Sequence, residues 1–240
     1  MPITSWSHSR LVEYEKCKQS AFLKYVKKIP EPERPLPAGK TEHANDRGSR
    51  VHDSLERYVR SLSDDYPPEA KTFRFEVDAM RKLFTAGMVS LEGEWGYDHE
   101  WEPTEWATAW LRMKLDSLVF ITPHEAVVID YKTGRMFGNE IKHGEQGMLY
   151  QLAAFLRYPE LDVIHVEFWY LDHDEITHKQ FTRSQGLRFK RNWNDRGLNI
   201  TTAVDFPANP NKWSCQYCPY GAPENGFPNG TGHCLAGRKR

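Results

Sequence analysis

Apolar residues in this chain recur first at helical and then at strand spacing, and each switch of period marks an element. Ser7 is a capping residue, and Leu11, Tyr14, Phe22, Tyr25, Val26 and Ile29 predict a helix running to about Ile29, with Cys17 in its middle. Glu31-Pro32 through Pro37-Ala38-Gly39 cannot continue it and reads as a loop. A second helix starts at Asn45 or Asp46 and buries Val51, Leu55, Tyr58 and Val59, leaving His52 one step off that stripe. Asp64-Asp65-Tyr66-Pro67-Pro68 is a break, and a third helix spans roughly 71–89.

The middle of the chain is β-rich. Residues 92–102 alternate acidic and aromatic positions, and 110–121 read as a strand carrying Asp116. Thr122-Pro123-His124 turns the chain into a second strand, Ala126-Val127-Val128-Ile129-Asp130-Tyr131-Lys132, closed by Thr133-Gly134. The two strands predict a hairpin. Asp130 and Lys132 are two residues apart, so their side chains leave one face and Tyr131 leaves the other. A helix over 139–157, a strand over 162–171, a turn at Asp172-His173-Asp174, a strand to Phe181 and a basic helix over 183–196 follow. From residue 205 the composition turns Pro-, Gly- and Asn-rich and holds three of the four cysteines. The expected division is a core of 1–204 and a Cys-rich appendage of 205–240.

Composition narrows the partners. The formal net charge is −1, so no global basic field advertises nucleic acid and any such partner must be met by a local patch. No run approaches the roughly 18 apolar residues of a membrane span, and the N-terminus has no signal-peptide core. A cytoplasmic setting and no membrane partner are expected. In that setting four cysteines read as free thiols or metal ligands before disulfides.

Asp116, then a hairpin turn, then Asp130-x-Lys132 is a pattern with chemistry. Mg²⁺ takes hard oxygen ligands and binds through one or two carboxylates plus waters and phosphate. A nearby lysine positions a water and adds positive charge at a phosphate transition state. A cross-strand ion pair accounts for the same three residues equally well.

The wider order decides. Gly48-x-x-x-His52 with Leu55-Glu56, then Asp116, then Ile129-Asp130-Tyr131-Lys132-Thr133-Gly134 resembles the RecB-like branch of the PD-(D/E)XK nucleases. That branch includes AddB-type, CRISPR-adaptation and phage exonucleases. Ser7-x-Ser9-Arg10-Leu11-x-x-Tyr14-Glu15-x-Cys17 is similar to the family's N-terminal helix. The resemblance implies an α/β, restriction-endonuclease-like core, a central mixed β-sheet flanked by helices. It implies Mg²⁺ or Mn²⁺ held by His52, Asp116, Asp130 and the Tyr131 backbone carbonyl, with Lys132 catalytic. Leu115-Asp116 stands where the name-giving Pro-Asp would be. Gln146 and Tyr150 fit the family's Gln-x-x-x-Tyr motif, and their spacing puts both on one helical face; Gln151 is the fallback. Among Glu56, Glu92, Glu94 and Glu100 as a completing acid, the sequence does not choose.

Cys215-x-x-Cys218 with Cys234 and the distant Cys17 resembles the family's iron–sulfur staple, a [4Fe-4S] cluster pinning the C-terminal segment to the N-terminal helix. Fifteen residues separate Cys218 from Cys234, longer than that pattern, and zinc is the alternative. Arg50 and Arg135 neighbour the predicted site and are the expected nucleic-acid contacts. The implied function is a divalent-metal-dependent DNA exonuclease of recombination, repair or phage DNA metabolism. The alternative is a catalytically silent DNA-binding module with the same stapled tail.

Overall fold

The computed structural model describes residues 2–134, 136–223, 230–234 and 236. The chain forms two compact units, Met1–Gly39 with Asn194–Arg240, and Lys40–Trp193.

In the first unit the expected long helix is broken. α1 (His8–Lys16) is capped by the Ser7 side chain, and Cys17 then turns extended at φ −161°, ψ 108° before α2 (Lys18–Ala21) and a π-turn over Phe22–Val26. The Cys17 N–H still donates to the Glu13 carbonyl, and its own carbonyl accepts from Ala21. Helical spacing therefore persists across the break, and periodicity alone could not reveal it. Tyr14 donates to the Asn199 carbonyl at 3.2 Å. Phe206 packs against Phe22 at 5.0 Å between ring centres and edge-on to Tyr14 at 6.3 Å. Asn209 donates to the Lys16 carbonyl and, through its backbone, to Cys17 Sγ. The C-terminal segment is thereby pinned to the N-terminal helices, as expected.

The second unit is a sheet between helices. Its elements are α3 (Ala44–Val59), a 3-10 turn over Pro68–Phe73, α4 (Arg74–Thr85), β1 (Val89–Tyr97), β2 (Pro103–Thr104), β3 (Leu111–Thr122), β4 (Glu125–Lys132), α5 (Glu140–Arg157), β5 (Val163–Tyr170), β6 (Glu175–Thr182) and α6 (Arg183–Leu187). α7 (Lys190–Thr201) leads out of the unit, and α8 (Lys212–Gln216) belongs to the first. The third helix ends earlier than its pattern suggested. Gly87 adopts φ 76° and donates to Phe84, a glycine stop signal present in the sequence. The basic helix is two pieces, α6 and α7, rather than one.

The strand order is β2-β1-β3-β4-β5-β6. All pairs are antiparallel except β4 with β5, whose parallel pairing requires the long crossover that α5 supplies. α3 and α4 cover one face. Val51, Leu55, Tyr58, Val77 and Met80 pack there with Leu91, Ile129, Tyr131 and Trp169. Ala126, Val128, Leu149 and Ala153 are fully buried, and Tyr97 on β1 donates to the α5 carbonyl of Ala153 at 2.7 Å. Among the described residues, no helix is long and apolar enough to cross a membrane.

Leu55 is at 0% exposure in the α3 seam. Leu55→Ala removes its methyl contacts and leaves a cavity, and is expected to cost about 3 kcal/mol. Urea unfolding would measure this, and a loss below about 1 kcal/mol would contradict the seam as described.

Candidate active site

The β4 strand carries the site, and its register aligns the acids. Glu92 falls between the pairs Leu91↔Ser117 and Gly93↔Leu115, opposite Asp116. β3 and β4 pair as far as Ser117↔Ile129, and one residue further Asp116 and Asp130 would be partners. There the ladder opens. Asp116 Oδ2 accepts the Tyr131 N–H at 2.7 Å, so a side chain takes the place of a backbone acceptor. N–H and C=O of one strand residue point toward the same neighbour, so the Tyr131 carbonyl faces this gap too. Its ring lies on the other face, buried beside Ser117 and Met80.

Glu92 itself has φ 46°, a left-handed conformation costly for a residue with a Cβ. Gly93 follows it of necessity, since a Cβ there would meet the Trp95 indole at 2.6 Å. This kink in β1 sets the Glu92 carboxylate toward Asp116. His52 arrives from α3, and its Nδ1 lies 3.0 Å from Asp116 Oδ1. One ligand atom each from His52, Glu92 and Asp116 lies within 4.8 Å of the others. This group could hold a metal ion.

α3 is set in place by its N-terminal turn. Arg47 donates to the Thr133 carbonyl at 3.0 Å and makes a bidentate pair with Asp172 at 2.7 and 2.8 Å. Gly48 passes so close that a Cβ would sit 3.3 Å from Thr133 Oγ1. The helix start is thus fixed to the ends of the parallel strands β4 and β5.

α5 supplies the remaining contacts. Lys132 Nζ donates to Gln146 Oε1 at 2.9 Å and lies 2.5 Å from Asp130 Oδ2. Tyr150 donates to Asp130 Oδ1 at 3.1 Å, and Gln146 Nε2 reaches the same oxygen at 3.4 Å. Asp130 Oδ2 is buried, and no donor is aligned on it. Lys132 sits beside it as an ion-pair partner rather than a directed hydrogen bond. A cleft of about 870 Å³ opens over His52, Glu92, Asp116 and Lys132, walled further by Glu56, Lys142 and His143.

The electrostatics of this cluster favour a cation. Burial raises Glu92 to about 7, helped by the charges of Asp116 and Glu56. Burial and then the Asp130 charge raise Asp116, against the opposing pull of His52. Burial disfavours the His52 imidazolium, but the hydrogen bond and charge of Asp116 outweigh it and lift His52 to about 8. Tyr150 is raised by burial and by Asp130 and Asp116, so its phenol stays a donor. A divalent ion would offset the burial and mutual repulsion of Glu92 and Asp116, and would take the His52 nitrogen in exchange for its proton. The oxygen-rich donor set with one imidazole fits such an ion.

The structure brings together His52, Asp116, Asp130, Tyr131, Lys132, Gln146 and Tyr150. Gln151 points elsewhere, donating to the Met148 carbonyl, and is fully buried. Among the four acids left open, Glu92 joins the cluster. Glu94 pairs with Lys114 at 2.9 Å, Glu56 binds Arg60 at 2.6 Å while lining the cleft, and Glu100 lies in the β1–β2 turn. Glu92 and Glu94 alternate onto one face, and only the β1–β3 register separates them. Arg50 is engaged by Glu42 and Glu69, each at 2.7 Å. Arg135 lies outside the described residues. Arg47, which no sequence motif singles out, is the residue that anchors α3.

The family model described as the PD-(D/E)XK nuclease superfamily matches residues 5–222. A solved structure, "Crystal structure of SSO0001", is similar at 13% identity, with 90% of this chain and 84% of that chain covered and a TM-score of 0.43. No curated protein matches the sequence.

Metal binding should be proton-linked. Glu92 must lose a proton with a pKa of about 7, and His52 one of about 8, before either can ligate. Affinity for Mn²⁺ is therefore expected to rise from pH 6 to 8, with proton release on binding. Calorimetry in buffers of different ionisation enthalpy measures both, and an affinity flat across that range would contradict the assignment. Glu92→Gln should weaken Mn²⁺ binding by about tenfold or more.

Proposed function

This chain belongs to the PD-(D/E)XK nuclease superfamily, and from that premise we propose that it is a Mg²⁺- or Mn²⁺-dependent deoxyribonuclease acting as an exonuclease on DNA ends or single strands. The convergence of His52, Glu92 and Asp116 beside the Asp130–Lys132 pair carries this reading. His52, Asp116, Asp130 through Oδ2, and the Tyr131 carbonyl would hold the cation, with Glu92 as the added acid. When bound, the cation lowers the pKa of a water and neutralises charge on the scissile phosphate.

The chain's own residues do the rest. Lys132, anchored between Asp130 and Gln146, orients the attacking water and faces the charge that develops on phosphate. Gln146 and Tyr150 are positioning residues, because their contacts hold Asp130 and Lys132 in place. The Tyr150 phenol shares its one proton between Asp130 Oδ1 and the Lys114 carbonyl, each at 3.1 Å, and so ties β3, β4 and α5 into one unit. Arg50, oriented by Glu42 and Glu69, and Arg135 would contact the phosphate backbone.

The tail reading is a second part of the proposal. Cys17, Cys215, Cys218 and Cys234 are all free thiols of intermediate burial. Burial raises the Cys218 thiol, with Cys17 and Cys215 adding to it, and raises the Cys234 thiol, with Cys218, Cys17 and Cys215 adding to it. Four soft thiolates suit an iron–sulfur cluster or zinc. We read a [4Fe-4S] cluster with a structural role, closing residues 205–240 onto the first helix. It would supply metal-binding free energy to the folding of that unit. DNA recombination, repair or phage DNA metabolism is the setting this assembly suits.

Lys132→Ala should lower divalent-dependent degradation of end-labelled linear DNA by at least about 100-fold while the circular dichroism stays unchanged. Undiminished degradation by the purified variant would refute the catalytic assignment and favour a silent DNA-binding module. Anaerobically purified protein should contain iron and acid-labile sulfide, and Cys218→Ser should lose both. Zinc in their place would refute the cluster and keep the staple.

A further inference from the structure

α5 carries two glycines near its start, and packing explains only one of them. Glycine weakens a helix interior, so each needs a reason. A Cβ on Gly147 would press on Val166 at 3.0 Å and Phe168 at 3.2 Å, so close packing excludes a side chain there. A Cβ on Gly144 would meet, outside its own helix, only Lys179 Nζ at 3.7 Å. The bare backbone at Gly144 instead leaves open a second cavity, of about 150 Å³, between α5, β5 and β6.

This cavity continues the row of the active site. In the β4–β5 register Phe168 stands beside Asp130 and Tyr170 beside Lys132. Phe168, Tyr170 and Phe181 give it flat apolar walls, and Thr177 and Lys179 add polar groups from β6. Lys132 Nζ is 5.3 Å from the centre of the Phe168 ring. His143 borders both this cavity and the metal cleft. Its ring stacks on Phe168 at 5.7 Å, and its Nδ1 is 2.7 Å from the Tyr170 hydroxyl.

We propose that this cavity receives one unpaired nucleobase, from a nucleotide adjoining the phosphate held at the metal cleft. The proposal rests on the nuclease reading above and narrows its substrate to single strands and frayed ends. A cavity of this volume accommodates a single six-membered ring. Aromatic walls can stack on the π-face of such a ring, so a pyrimidine fits the cavity and a purine exceeds it. Lys179 at the cavity and Lys142 at the cleft bring positive charge to the phosphates on either side. A base within a duplex is stacked and paired, so it cannot enter without leaving the helix.

The test crosses a blocked cavity with a missing base. Gly144→Leu fills the mouth from α5 and improves helix propensity; Thr177→Leu fills it from β6, should the first variant fold poorly. Single-stranded oligonucleotides, intact or with one abasic residue at successive positions, are digested with Mg²⁺ or Mn²⁺ and the products mapped to the nucleotide. Wild type is expected to cut about tenfold more slowly at the phosphate whose base would fill the cavity when that base is missing. A blocked variant is expected to cut the intact strand about tenfold more slowly and to ignore the abasic residue. If wild type cuts past every abasic residue at the intact rate, the base site is wrong while the nuclease reading stands. The same holds if a blocked variant still suffers the full abasic penalty. Failure of wild type to cut any DNA with either ion would instead overturn the nuclease reading, and the base site with it.

Discussion

Carboxylates that face one another across β1, β3 and β4 are the constraint on which the rest of this unit depends. Two unit charges about 4 Å apart repel by roughly 4 kcal/mol at the effective dielectric of a protein site. Glu92 and Asp116 are held near that separation, with Asp130 in the same row. Their raised pKa values are the expression of that repulsion together with burial. Lys132 and His52 offset part of it. The arrangement persists because neighbouring elements over-determine it: a left-handed Glu92, an Asp116 oxygen bound to the Tyr131 amide, and an Asp130 oxygen bound to Tyr150. Such a site is built for a cation that none of its own side chains fully replaces.

The helices exist in this fold largely to serve that row. α3 buries Val51, Leu55 and Tyr58 on one sheet face and presents His52 at the edge of the same stripe. Arg47 and Gly48 then fix where the edge falls, by holding the helix start against Thr133 and Asp172. α5 is required by the parallel β4–β5 pairing, and its polar side chains at 146 and 150 lock the acid and the lysine. The same helix, with Gly144 left bare, borders the cavity proposed to take a base. In that reading the lysine and the base lie on one short span of β4, β5 and α5, while the metal-competent group comes from α3, β1 and β3.

The first unit follows a different logic. Its helices are short and interrupted, and contacts distant in sequence hold it, such as Tyr14 with Asn199, Phe22 with Phe206 and Tyr220 with the Ile29 carbonyl. A thiolate-bound cluster would join the two chain ends in the same way and stabilise them chiefly by restricting the unfolded chain.

Much of this was legible in the residues alone. Strand alternation and turn chemistry marked the β3–β4 hairpin, and the side-chain period of two placed Asp130 and Lys132 on one face without further help. Helical spacing put Gln146 and Tyr150 together and His52 beside a buried stripe. What the chain could not declare was anything set by pairing between distant segments. Glu92 and Glu94 are equivalent in a period-two pattern, and thirteen residues lie between the end of β1 and the start of β3. Only the register put Glu92, and not Glu94, opposite Asp116. The break at Cys17 left helical spacing intact, so no pattern reported it. Arg47 looked like one more surface cation until Thr133 and Asp172 came to it from 86 and 125 residues away. Local periodicity determined which side chains share a face; the tertiary structure decided which faces meet, because that depends on strand register and helix docking that no local segment encodes.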